Sequence, residues 1–102
     1  MIILDASPLI HLTKIGKIEF LLNLFDYALI TDAVYKEVIE EGIQKGYSDA
    51  ILISNYIKEN RIKRVEIQNP DPQLSIYLDP GESESIQLAD QLELILIIDE
   101  NK

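Results

Sequence analysis

The 102-residue chain contains no cysteine and only one histidine, His11. Without thiols there is no disulfide, no thiolate metal site and no cysteine nucleophile. A single histidine excludes any site built on a histidine pair, and it leaves Ser7 without a second candidate base for serine hydrolase chemistry. No apolar run reaches the about 18 residues that a membrane-spanning helix needs. The opening Met-Ile-Ile-Leu-Asp has neither a basic stretch nor a small-residue cleavage site, so it does not read as a signal peptide. A cytoplasmic location with no membrane partner is the expectation. Glycine is scarce as well: Gly16, Gly42, Gly46 and Gly81 form neither a Walker loop nor a G-x-G-x-x-G turn. Basic residues are also few, 9 against 18 acidic ones, for a net charge of -9. Proteins that hold duplex nucleic acid through a broad field are normally basic, which counts against that mode here. The acidity fits a carboxylate site offset by bound cations, and it fits equally a surface charge that maintains solubility.

What remains is an ordinary globular composition, 47% hydrophobic and 26% charged, of a length suited to one domain over residues 1–102. Residues 2–4 form a short β-branched apolar run and predict a buried strand, followed at once by Asp5. Ser7-Pro8 predicts a helix start, with Ser7 as cap and Pro8 at the first helical position. The stripe Leu9, Ile10, Leu12 and Ile15 stops at Gly16, and a second helix fits Lys17 to Phe25. Tyr27 to Ile30 predicts a strand, and Thr31 caps a helix that stops at Gly42. Residues 43–47 read as a loop, Ser48 as the cap of a helix to about Asn60, and Ile62 to Ile67 as a strand. Asn69-Pro70-Asp71-Pro72 breaks the chain. Asp79-Pro80-Gly81-Glu82 opens a helix lasting to about Leu92, and Leu94 to Ile98 is the strongest strand signal, followed by Asp99. Strands alternating with helices predict an α/β protein with a parallel sheet, its apolar strands covered on both faces.

In an open parallel sheet, ligands bind beyond the carboxyl ends of the strands, where Asp5 and Asp99 both fall. Two carboxylates in one cleft repel unless a cation lies between them, and a hard ion such as Mg²⁺ or Mn²⁺ prefers such oxygen ligands. Either aspartate can instead cap the following helix. Glu82 has the same ambiguity, because Asp79-x-x-Glu82 has the form of a capping box. On a helical wheel Glu82 lies near the apolar face set by Ile86, Leu88, Ala89 and Leu92, whereas Glu84 lies well away from it. Glu37 falls outside the face set by Val34, Tyr35, Val38 and Ile39, beside Glu40 and Glu41, and physical reasoning alone does not select it. Lys58, Arg61, Lys63 and Arg64 form the one basic cluster, read as a solvated helix end or a phosphate contact.

The segments ILDASPLIHLTKIGKIEFL, ITDAVYKEV, YLDPGESESIQLA and LILIIDENK resemble, in this order, the motifs of PIN-domain proteins. The resemblance spans essentially the whole chain and is closest to a prokaryotic branch with a G-E-x-E third motif. It implies a three-layer α/β/α fold with a parallel sheet of about four strands. The usual last strand and closing helices are lacking, so a C-terminally truncated domain is the expectation. It further implies that Asp5, Glu37, Glu82 and Asp99 hold Mg²⁺ or Mn²⁺ as catalytic residues, with Ser7 steadying Asp5 by hydrogen bonding. Glu84, from its place on the wheel, is expected to be solvated or at most to support these ligands without touching the ion. The implied activity is metal-dependent hydrolysis of single-stranded RNA by an endoribonuclease, in many relatives a toxin neutralised by a small antitoxin. A homodimer would complete the sheet at its bare last strand. Two readings stay beside this one. A truncated, catalytically silent relative would serve as a binding or oligomerisation module. A phosphohydrolase with Asp5 as nucleophile would normally carry a second acid where Ser7 stands.

Overall fold

A computed structural model describes residues 1–98, without the side chain of Ser75. Its strands are β1 (Ile2–Leu4), β2 (Ala28–Thr31), β3 (Ile62–Val65) and β4 (Leu96–Ile97). All pairings are parallel, in the order β3-β2-β1-β4. The chain therefore builds outward from β1 in one direction and then places β4 on the opposite side. That reversal sits at the carboxyl end of β1, where a doubly wound sheet opens its ligand crevice.

The alternation along the two central strands divides the core. Ile2 and Leu4 of β1 and Ala28 and Ile30 of β2 pack on one face with Leu9, Leu22, Ile53 and Tyr56. These last four lie on α1 (Ala6–Lys14), α2 (Ile18–Phe25) and α5 (Ser48–Lys58). Ile3 and Leu29 point to the other face and meet Leu88 of α7 (Pro80–Leu92). This is the expected three-layer arrangement. Between β2 and α5 the chain runs through α3 (Asp32–Tyr35), a π-helical turn (Lys36–Glu40) and α4 (Glu41–Gln44); a short α6 (Leu74–Tyr77) precedes α7. Among the described residues no helix is long and apolar enough to cross a membrane.

Several boundaries depart from the sequence reading for identifiable reasons. α1 begins at Ala6, with extended Asp5 rather than Ser7 in the capping position. Leu9 N–H makes the first intrahelical bond, to the Asp5 carbonyl, so Pro8 sits in a first turn that needs no donor from it. Gly42 does not stop its helix. It is buried against α5, where an added Cβ would come 2.8 Å from the Ala50 Cβ, and the stop falls at Gly46 with φ of +76°. Ser48 likewise does not cap α5; Tyr47 holds that position.

β4, the strongest strand in the sequence, is the shortest in the structure. Glu93 takes a left-handed conformation that ends α7, and Leu94 N–H is then used to bond the Ala89 carbonyl. Coverage on both faces is full for β1 and β2 and partial at the edges, where Ile62 and Ile97 pack on one face and Val65 and Leu96 on the other while Lys63 and Arg64 stay exposed.

Candidate active site

Asp5 is carried to the crevice by β1 and is only 6% exposed. Although it occupies the capping position of α1, its side chain makes no capping bond. Its Oδ1 instead accepts a long 3.5 Å hydrogen bond from the Ser85 hydroxyl on α7. Burial raises the Asp5 pKa, and the charge of Asp79 raises it further, against the pull of the Ala6 amide and the Ser85 hydroxyl.

α7 brings the second group. Asp79 caps it, Oδ1 accepting from Glu82 N–H at 2.8 Å, so the forward half of a capping box is formed. The return bond from Asp79 N–H to the Glu82 carboxyl is absent among the described residues. The Glu82 carboxyl faces that of Asp79, and the hydrogen bond they share is the main cause of its raised pKa. Desolvation and then the charges of Asp79, Asp5 and Glu37 follow. Gly81 lies between the aspartates: a Cβ there would sit 3.5 Å from Asp79 Oδ1 and 3.6 Å from Asp5 Oδ1. A larger residue would fill the space that the two carboxylates face.

Glu37 arrives on the π-helical turn, in which Glu41 N–H reaches back to the Lys36 carbonyl. Such a turn carries an extra residue and shifts the phase of everything after it, which a uniform wheel cannot anticipate. Glu37 is exposed, as the wheel placed it. Its carboxyl nevertheless belongs electrostatically to the crevice, being raised by partial desolvation and then by Asp79, Asp5 and Glu41, while Lys45 pulls it down.

Three helices, α1, α3 and α7, start at this edge. Their free amide ends supply partial positive charge that makes a crowd of carboxylates more tolerable. Glu84 serves one of these ends directly: its Oε1 accepts from Ala33 N–H at 3.0 Å, binding α7 to the first turn of α3. With Asp32, Lys36, Glu37, Glu41 and Gly81 it lines a cleft of about 350 Å³.

Thus the structure brings Asp5, Glu37 and Glu82 into one interacting group, and adds Asp79, read from sequence only as a cap. Ser7 is half-buried in the first turn of α1, and the side-chain hydroxyl bonded to Asp5 is that of Ser85. The signal for Ser85 lay in Gly81, Ser85 and Leu88, small and apolar residues at helical spacing on the face of α7 turned to the sheet. Asp99 lies outside the described residues. Of the basic cluster, Arg61 is tied to Glu19 and Asn23. Arg64 is bonded to Asp32 and stacked on Tyr35, and Lys63 lies over Tyr27. Those three cations are engaged within the fold. His11 is exposed on α1.

Among the described residues, no three carboxylates or histidines close tightly enough to hold a metal ion as they stand. The chemistry of the group fits a hard divalent cation all the same. It offers only oxygen donors, the carboxyls of Asp5, Glu37 and Glu82 are held above their ordinary range by burial and by one another's charge, and a glycine keeps space between two of the carboxylates. A family model described as a PIN domain matches residues 1–102. No curated protein and no solved structure matches the chain.

Proposed function

The chain belongs to the PIN-domain family, a nuclease-type fold, and from that premise we propose that it is a divalent-metal-dependent endoribonuclease acting on single-stranded RNA. The observation that carries this reading is the convergence of Asp5, Glu37, Asp79 and Glu82 at the switch point of the sheet, each of the three raised carboxyls shifted by the charge of another. Asp5, Glu37 and Glu82 would hold Mg²⁺ or Mn²⁺, with Asp99 as a further ligand. Asp79 orients Glu82, while Ser85 and the Ala6 amide fix the Asp5 carboxylate. A bound ion would supply an acidified water and compensate the charge that develops on the phosphate oxygens. The net charge of -9 suits a substrate recognised at one threaded strand rather than along a duplex. The protein would act in the cytoplasm, as a homodimer joined at the β4 edge, and as a toxin held in check by a small antitoxin.

The test is cleavage of a fluorogenic single-stranded RNA with Mn²⁺, compared between the wild type and Asp5→Asn. Equal cleavage by both would sink the proposal. One observation favours a second reading, a catalytically silent binding module: among the described residues the carboxylates do not close around an ion as they stand. Calorimetric titration with Mn²⁺ separates the two, since a folded sample that takes up no ion below about millimolar supports the silent module.

A further inference from the structure

A cavity of about 750 Å³ lies beside the acidic group and shares two wall residues with the smaller cleft, Glu37 and Glu41. Its floor is apolar and comes from Ile10 of α1, Val38 of the π-helical turn and Ala50 of α5. The floor is tight because Gly42 lets α4 approach α5: a Cβ at Gly42 would lie 2.8 Å from the Ala50 Cβ and 4.0 Å from the Tyr47 ring. Gly46, in the left-handed region, turns the chain so that Tyr47 projects at the cavity wall, 57% exposed. The cations on the wall are Lys14 and Lys45. Lys14 is held loosely, 3.9 Å from Asp49 and itself 62% exposed, and the charge of Lys45 is felt at Glu37. An aromatic face, an apolar floor and two ammonium groups are the means by which proteins bind a nucleotide of a single strand without reading a duplex, and here they stand beside the carboxylates of Glu37, Glu41 and Asp49.

We propose that this cavity is the nucleotide subsite of the enzyme, seating one nucleoside monophosphate unit of single-stranded RNA with its base against Tyr47 and its phosphate between Lys14 and Lys45. The proposal rests on the ribonuclease reading for its substrate, and on the cavity alone for its binding. A nucleotide seated there places the next phosphodiester toward Glu37, the residue at which the two clefts meet. Tyr47 and Lys14 are therefore positioning residues whose loss weakens binding without touching the chemistry, whereas Lys45 also acts on Glu37.

Two measurements on the full chain test this. In EDTA, titration with AMP, CMP, GMP and UMP followed by amide chemical shifts should move the signals of Lys14 and of residues 45–50. Ribose 5-phosphate should move the lysine signals alone. A 2′-O-methyl hexanucleotide should bind more than about tenfold tighter than any of the mononucleotides; equal affinity would mean a site for free nucleotides and overturn the proposal. In Mn²⁺-dependent cleavage, Tyr47→Ala combined with Lys14→Gln should raise KM about tenfold and leave kcat unchanged. These side chains are exposed, so the variant should fold, and a matching thermal midpoint verifies it. Wild-type cleavage with unchanged KM in the variant and no shifts at the cavity overturns the subsite and leaves the nuclease standing. Hexanucleotide binding at the cavity without cleavage does the reverse.

Discussion

Asp5 shows the conflict that a buried carboxylate places on stability. Its burial beside Asp79 works against ionisation, so Asp5→Asn should raise the thermal midpoint at pH 7 by a few degrees while reducing cleavage by roughly a hundredfold or more, the scale of several kcal/mol. A variant both inactive and less stable would contradict this account. The pH dependence follows from the same groups. Asp5, Glu37 and Glu82 are all raised in the folded state, so between the ordinary carboxylate range near about 4 and those raised values the folded protein binds more protons than the unfolded chain. Their contribution is present below that window and is lost as pH rises through it. Thermal melts should show Asp5→Asn gaining on the wild type as pH increases from 4 toward 7, with the gap shrinking when Mn²⁺ is added. At this scale the sequence was legible in part. Asp5 announced itself through the apolar run before it, whereas Asp79 carried only the signature of a helix cap, a role it does fill while its charge also acts on Asp5, Glu37 and Glu82.

Among the elements, the segment from Asp32 to Gln44 departs furthest from a simple pattern. Its π-helical turn changes the phase between Val34 and Gly42, so the upstream part serves the carboxylates and the downstream part packs on α5. Periodicity of 3.6 set Glu37 on the exposed side but could not show its charge reaching the crevice, and it cannot reveal such a turn, so the packing role of Gly42 was not readable beforehand. Gly42→Ala should destabilise the protein by about 1–3 kcal/mol in urea melts, in spite of the better helix propensity of alanine, because its methyl would overlap Ala50. Adding Ala50→Gly should recover part of the loss. Glu84→Ala should cost about 0.5–2 kcal/mol through the Ala33 amide that loses its acceptor at the start of α3, where Thr31 still caps Val34. Strand ends were less legible than strand positions, as β4 shows: hydropathy marked Leu94 to Ile98 as one strand, but the helix before it uses Leu94 for its own termination.

For the whole molecule, alternation of strands and helices made the parallel sheet and its order of layers readable, because each crossover must return the chain to the same end. Net charge has its consequence at this scale too. With few unengaged cations, the slope of log KM for RNA against log salt should be shallow, well below the steep dependence of a basic nucleic-acid binder, and a steep slope would place RNA on a different surface. The exposed Ile95 on the β4 side predicts self-association that Ile95→Lys reduces in sedimentation, a result that an unchanged mass would contradict. Finally, the acidic group is put together across a long stretch of chain: Asp5 and Ser85 are bonded although 80 residues separate them. No local segment holds the group by itself, so it exists only while α7 is docked beside β1, and a partial opening that frees α7 would scatter its carboxylates before the rest of the sheet gives way.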